Sequence, residues 1–534
     1  MEYFELLLAS LEYQFWLELV LAFLCFFFII WYVKHKNDVV IWWPVVGAIP
    51  SLLRNAHRVH DWTVEVSNTI GTTIVERGTI FARLNLLYTC DPNIVEYMVK
   101  TNFANYPKGP EYIDMFEVLG HGIFTVDFEP WHAQRRLANV TFASKDFRSY
   151  IGKVSKEVVQ DSLLPFLEHV AKQSTTTVDL EDVFLRFAFD SIFTVVFGKN
   201  PNYLAIDLPN NVLAKAIDDA TEAVFYRHIL PRPWWKLCNW LMVGKERKLA
   251  EAIRVINEHL GKYVSAKRKD LIEGVGGGEG GGNNIDLLEI YMTSHELQKN
   301  DLLPKDDEFL KDTGLNFIFA GRDSTGTSLA WFFWLIATNP SVESKILEEL
   351  KLLFSKNMKE NHHSTNTSTR ERRPWVFNSE DLKGLVYLHA ALCESLRLYP
   401  PLPLNRKGVH KEDVLPDGTV VKPGMKVLIS MYAMGRMEWL WGKDCLEYKP
   451  ERWIGEDGKL SHEPKSKFYT FNAGPRNCVG KEMAFTQLKL VAANVIFNFH
   501  VEMVEGHIVC PKPSAVLHMK NGLMVRVKER EIIL

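Results

Sequence analysis

Apolar positions recur along this chain in two ways, as one uninterrupted block near the N-terminus and as faces with residues three or four apart. Every residue from Leu19 to Val33 is apolar, and Phe15 to Leu17 extend the block past Glu18. That is about the length a helix needs to span a bilayer. The residues ahead of the block are acidic (Glu2, Glu5, Glu12) and no small-residue cleavage site follows it, so it reads as a retained anchor and not as a signal peptide. Lys34, His35 and Lys36 come next, which by the positive-inside rule puts everything downstream in the cytosol. A single-pass protein of the endoplasmic reticulum membrane is expected. Trp42-Trp43-Pro44-Val45-Val46-Gly47-Ala48-Ile49-Pro50 then forms a stiff hinge, because its prolines and glycine deny it a helix. The expected division is an anchor over 1–36, a proline-rich hinge over 37–52 and a body over 53–534.

Within the body, helical spacing predicts elements over Pro92–Lys100, Phe147–Gly198, Val212–His228, Lys245–Lys269, Val386–Tyr399 and Met483–Phe497. A long helix runs from about Asp306 to Thr338 and is ended by Asn339-Pro340. Alternation over Thr73–Tyr88 predicts a small hairpin, and Asp413–Thr419 and Lys422–Gly424 read as hairpin turns. Tyr106–Phe124, rich in Gly and Pro, is expected to be a mobile loop. The Pro- and Trp-rich connector Ile229–Trp235 is open to three readings: membrane contact, a lid over a channel, or packing between helices. Gly274–Gly282 is flexible and is no phosphate cradle, since no Gly-Lys-Ser/Thr follows. The polar segment 361–373 reads as a surface insertion. The fold class is mainly α with a smaller β portion.

Composition narrows the function. A chain of 534 residues with 47% hydrophobic residues can bury a large core, and its net charge of -3 argues against a nucleic-acid binder. Seven scattered cysteines, an odd number, suggest a reducing compartment. Asn139-Val140-Thr141 and Asn366-Thr367-Ser368 match the glycosylation pattern, but the cytosolic topology leaves both bare.

Four stretches carry candidate chemistry. Phe471-Asn472-Ala473-Gly474-Pro475-Arg476-Asn477-Cys478-Val479-Gly480 is a loop that opens into a helix, so Cys478 stands where a helix N-terminus lowers a thiol pKa. Ala320-Gly321-Arg322-Asp323-Ser324-Thr325-Gly326 places glycine, an acid and two hydroxyls in mid-helix, where they are locally unfavourable. Such violations are expected where function sets the sequence. The hydroxyls can bond back to carbonyls and open the helix. Trp131 and Arg135 share one helix face. Glu394 and Arg397, three apart, form an ion pair.

The spacing Phe-x-x-Gly-x-Arg-x-Cys-x-Gly resembles the haem-binding loop of the cytochrome P-450 superfamily, and the other three motifs stand in that family's order. The resemblance spans nearly the whole chain and implies the cytochrome P-450 fold and a haem-thiolate monooxygenase. It implies haem b with iron held by Cys478, Phe471 over the proximal face and Gly474 in the turn. It also implies Arg476, Trp131, Arg135 and Lys407 at the propionates. Asp323 is then the acid that relays protons and Ser324 the hydroxyl that orients them toward bound O2, with Thr325 beside it. Ser324 stands where threonine is usual and lacks the methyl that fixes the rotamer; some uncoupling is expected. Glu394 and Arg397, joined by Arg452, become a buried network that holds the cysteine loop, and Trp453 stands where phenylalanine is more common. Phe124, Phe317, Ala320, Leu402 and Val516 become pocket residues.

No flavin or nicotinamide fingerprint is present, so electrons come from another protein. For a membrane-anchored member the resemblance implies an NADPH-dependent diflavin reductase. Lys467, Arg476 and Lys481 are then either part of its docking face or ordinary surface cations. The run Ala320–Asp323, the sequence Lys481-Glu482-Met483-Ala484 and the Asp413–Gly418 hairpin look like the plant clan that oxidises fatty acids and alkanes, most of all its hydroxylases of long alkanes. The expected reaction is hydroxylation of a small apolar substrate, a long-chain alkane or fatty acid. One alternative is oxidation or phenol coupling of an aromatic or alkaloid precursor, with which Ser324 is compatible because coupling inserts no oxygen. Another is a non-oxygenase use of the fold, against which Asp323 speaks.

Overall fold

One helix of 32 residues, Asp307–Thr338, runs through the centre of the body, and 22 of its residues are buried. Asp306 caps it, its carboxylate accepting the Phe309 N–H at 2.8 Å. Asn339 leaves helical geometry and Pro340 opens the next helix, Pro340–Asn361. The structure is a computed structural model that describes residues 2–531 apart from 44–46, 77–85, 174–175, 274–284, 295–302, 305, 362–373, 462 and 464–465. The Pro44–Val46 part of the hinge, the Gly274–Gly282 run and almost all of the polar insertion 361–373 lie outside the described residues.

The central helix lies along a second, Leu180–Phe197, with the Phe184 and Phe333 rings 5.0 Å apart. Two glycines allow that approach. A Cβ on Gly321 would stand 2.7 Å from Ile192 Cγ1, and one on Gly326 would stand 2.7 Å from Leu185 Cδ2 and 3.0 Å from Leu185 Cα. Both belong to the stretch that looked locally unfavourable. Their cost in helix propensity is offset by close helix packing, so only part of that violation is left for chemistry to explain.

Strands Thr73–Glu76, Leu86–Thr89, Lys426–Ser430 and Leu404–Gly408 form one sheet in that order. The predicted hairpin is its edge, and Leu86–Thr89 continues it in parallel to Lys426–Ser430. Ile74, Tyr88, Leu428 and Arg406 fall in register across the sheet and therefore share a face. A smaller sheet joins Val178–Asp179, Met524–Glu529 and Phe499–Met503.

Two segments differ from expectation, and a third is decided among the readings left open for it. Phe147–Gly198 is not one helical run. It divides into Lys145–Val158, a wide turn Val159–Leu163, the helix Leu164–Lys172, a short strand and Leu180–Phe197. Pro165, which lacks an N–H, stands just after the wide turn. Tyr106–Phe124 is no loose loop. It contains the helix Pro110–Met115 and is tied to the central helix. Asp312 Oδ2 accepts the His121 N–H at 2.9 Å, Asn316 Oδ1 accepts the Phe124 N–H at 3.2 Å, and Asn316 Nδ2 donates to Leu119 O at 2.9 Å. The connector Ile229–Trp235 runs into the helix Arg232–Trp240, with Trp235 buried beneath Arg227 at 4.6 Å. That favours the packing reading for Trp235, while Trp234 stays exposed.

At the N-terminus Glu2–His35 is one helix, and Tyr13–His35 within it is long and apolar enough to cross a membrane, with none of it buried in the body. Trp43 stacks on Tyr32 at 6.0 Å, and Trp62 Nε1 donates to Val39 O at 3.0 Å, so the chain leaving this helix is held against the body.

Candidate active site

A cavity of about 550 Å³ opens between the central helix, the Cys478 loop and the larger sheet. Its wall includes Ala320, Ser324 and Thr325 from the helix, Trp131 and Arg135 from the helix Phe128–Ala143, and Val516 from the C-terminal segment. Phe124, Phe317 and Leu402 line it as well. Phe317 is stacked on Phe142 with centroids 5.5 Å apart, and Val516 is brought in because the Leu517 N–H donates to Pro401 O at 2.9 Å.

Local geometry sets the cysteine loop. Gly474 has φ 65, and a Cβ there would meet Val99 O at 1.8 Å, so only glycine fits. The Cys478 N–H donates to Phe471 O at 2.7 Å, and Gly480 is the N-cap of the helix Lys481–Asn498. Cys478 has accessible surface yet lies deep in the body, since that surface faces the main cavity and a smaller one of about 80 Å³ behind it. Phe471 lines both. Burial pushes the Cys478 thiol up, and the Gly480 N–H, Arg135 and Lys481 oppose it without overcoming it. The lowered pKa expected from the helix terminus is therefore not what this chain alone provides.

Beside the loop stands a group of cations. Arg476 donates through Nη2 to Asp127 Oδ1 and to Val126 O, both at 2.7 Å, and lies 4.5 Å over the Trp131 ring. Arg135 Nη2 donates to Asn477 Oδ1 at 2.7 Å. The Nε atoms of Arg135 and Arg476 are both buried without a partner among the described residues. Lys407 is buried behind the cavity wall and is not on it. Burial and Arg476 bring its pKa down to about 7. Lys108 is pushed well down by burial, Lys407 and Arg476, and donates to Asn405 Oδ1 at 3.2 Å. Asp127 is the carboxylate this group shares. Orphaned guanidinium N–H groups and unbalanced positive charge beside a thiol fit a flat group bearing two carboxylates and a thiolate-bound metal.

On the helix side, Ser324 Oγ donates to Ala320 O at 2.5 Å and Ser328 Oγ to Ser324 O at 2.6 Å. These back-bonds do not open the helix, which is continuous from Asp307 to Thr338. Asp323 is off the cavity wall and wholly buried, with Oδ1 accepting from Arg322 Nη1 at 2.8 Å and Oδ2 unpartnered among the described residues. Burial raises its pKa, against the pull of Arg322 and His518. Arg322 also reaches Asp218 Oδ1 at 2.6 Å, a carboxylate 54% exposed, so the buried acid is connected to the surface.

Glu394 accepts from Arg397 at 2.7 and 2.8 Å and from Arg452 at 3.3 Å. Trp453 Nε1 donates to the same carboxylate at 2.9 Å, which gives the less common tryptophan a polar partner that phenylalanine could not supply. Thr470 Oγ1 donates to Leu396 O at 3.0 Å and ties this helix to the cysteine loop. Sequence reasoning missed Lys108, Arg322, Asp218 and His518. Arg322 lay inside a recognised motif and could have been found; Asp218 and Lys108 carry no local signal.

A family model described as Cytochrome P450 matches residues 39–527. The alkane hydroxylase MAH1 of Arabidopsis thaliana is 40% identical, covering 91% of this chain and 93% of its own length. Cytochrome P450 86B1 of the same plant is 39% identical, over 97% and 90%. Noroxomaritidine synthase 2 of Narcissus aff. pseudonarcissus MK-2014 is 38% identical, over 92% and 91%. Agreement over this much of the chain shows that it belongs to the cytochrome P450 family, haem-thiolate monooxygenases that incorporate oxygen from O2.

Proposed function

We propose that the protein is anchored in the endoplasmic reticulum membrane by residues 1–36, joined through a hinge over 37–52 to a cytosolic catalytic domain over 53–534, and hydroxylates a long-chain alkane or fatty acid. The observation that carries this reading is the cavity wall. Phe124, Phe317, Leu402 and Val516 offer apolar surface near Cys478, and Val40, Trp42 and Leu52, close to the anchor, line the same cavity. A hydrophobic chain drawn from the bilayer has one continuous, mostly apolar cavity leading to the thiol. The relative named alkane hydroxylase MAH1 supports the same substrate class.

The cofactor is haem b, which when bound supplies dioxygen binding and activation with electrons from an NADPH-dependent diflavin reductase. Cys478 provides the anionic ligand and Phe471 keeps water from its sulfur. Arg476, Arg135 and Trp131 hold the propionates, Gly474 gives the loop its turn, and Lys407 adds charge from behind. Asp323 supplies the proton that Ser324 or Thr325 passes into the cavity, and Arg322, a permanent cation bonded to Asp323 and to the exposed Asp218, holds the acid in place without carrying the proton itself. One oxygen atom enters the product and the other leaves as water, at a cost of two electrons and two protons. Glu394, Arg397 and Arg452 keep the cysteine loop in place.

The test is turnover by the haem-loaded chain with reductase, NADPH and O2, offered hexadecane, hexadecanoic acid and a phenolic amine. Products gaining one oxygen from the aliphatic compounds support the reading. A second reading, phenol coupling, is favoured by the noroxomaritidine synthase relative and by the Ser324 hydroxyl being turned to Ala320 O; it predicts loss of two hydrogens from the phenolic amine instead.

A further inference from the structure

The apolar cavity has a charged end. On the sheet face in register with Ile74, Tyr88 and Leu428 stands Arg406, and Lys426 lies two residues from Leu428 on the neighbouring strand. Both line the cavity, and so does Arg232. All three face one carboxylate, Glu111. Lys426 Nζ is 2.8 Å and Arg406 Nη2 3.0 Å from its Oε2, and Arg232 Nη1 is 3.7 Å from its Oε1. Arg232 and Lys236 share Asp114 at 2.5 and 3.0 Å. Arg406 also touches Met115 Sδ. The other acid on this wall, Glu76, accepts the Ala48 N–H at 3.0 Å and is pushed toward its neutral form by burial.

Four cations thus meet two carboxylates, and of the cations Arg406 and Lys426 are the ones mostly buried, while Arg232 and Lys236 reach solvent. Burial and mutual repulsion hold both Arg406 and Lys426 below their usual pKa, which an added anion would relieve. Arg406 and Lys426 stand on the sheet and pair with Glu111, whereas Cys478 stands on the loop that opens into the helix Lys481–Asn498.

We propose that Arg406 and Lys426, on the cavity face of the sheet, form a subsite for the carboxylate of a long-chain fatty acid, so that the acid, and not the neutral alkane, is the preferred substrate. The inference rests on the aliphatic reading above and chooses within it. A planar guanidinium beside an ammonium matches a carboxylate in charge and geometry. With the carboxyl end held at the sheet, the chain extends toward Cys478 and is oxidised far from the carboxyl group. The same charges repel the ammonium of an alkaloid precursor.

The test is titration of the ferric, haem-loaded full chain with hexadecanoic acid, its methyl ester, hexadecane and hexadecyl phosphate, read as the low- to high-spin shift. The acid is expected to bind at least tenfold more tightly than ester or alkane. Arg406→Gln and Lys426→Met should each weaken the acid roughly 10- to 100-fold and leave the ester unchanged, and Arg406→Lys should recover part of the loss. Equal affinity for acid and ester, tighter binding of the phosphate, or an acid affinity indifferent to both variants would overturn the subsite while the aliphatic reading stands. No shift with any aliphatic compound, beside a shift with a phenolic amine, would overturn both.

Discussion

Two groups of cations flank the strand Leu404–Gly408, and they differ in what they have for partners. Lys407 is buried on one side with Arg476 and Lys108, where two guanidinium Nε atoms have no partner among the described residues and Asp127 is the shared acid. Arg406, the preceding residue, points to the other side, where Glu111 already answers it and Lys426. Strand alternation alone separates them. A site that leaves buried donors unpaired suits a group that is always bound, because the cost of emptying it is high. A site that keeps its own carboxylate can be vacated cheaply, and so suits a substrate that comes and goes.

The widest separation between the two comes from the thiol itself. Cys478→Ala should abolish the red-shifted Soret band of the reduced carbon monoxide complex and all turnover, whereas Arg406→Gln should leave that band intact; a Cys478→Ala protein with full activity would sink the haem-thiolate account. Next in size, Arg476→Ala should lower haem content several-fold in the purified chain, read as the Soret-to-280 nm absorbance ratio. If Arg406→Gln lowers it equally, the two cation groups are one.

A smaller effect is expected from pH. Lys407 has its pKa lowered to about 7 by burial in the haem-free chain, against an ordinary value of 10.5. The penalty for burying its charge is then full below pH 7 and fades as pH rises toward the unfolded value. Lys407→Met should stabilise the haem-free chain to denaturant most at low pH, with the gain shrinking above pH 7. A pH-independent gain would mean that packing and not charge is responsible. The smallest expected change is at Ser324. Ser324→Ala should raise peroxide released per NADPH without altering haem content or acid affinity, and unchanged coupling would place proton delivery on Thr325 or on water.

Much of the candidate site was legible because it is local. The loop Phe471–Gly480 fixes its own turn through Gly474, and the apolar block before Lys34 and the long helix ended by Asn339-Pro340 were legible for the same reason, since each depends on residues close in sequence. Tyr106–Phe124 was misread as mobile because what orders it, Asp312 and Asn316, stands about 190 residues away. Gly321 and Gly326 looked like chemistry until their distances to Ile192 and Leu185 showed helix packing.

By itself, then, the sequence determined the apolar N-terminal helix, the helical class, the cysteine and its loop, and the places of the acid and hydroxyl on the central helix, since periodicity and short spacing encode them. Only the tertiary structure decided which charges meet. Arg406 lies 295 residues from Glu111, and Arg322 lies 104 from Asp218. Sheet register and helix packing bring such residues together, and no local pattern records a register set by strands from opposite ends of the chain.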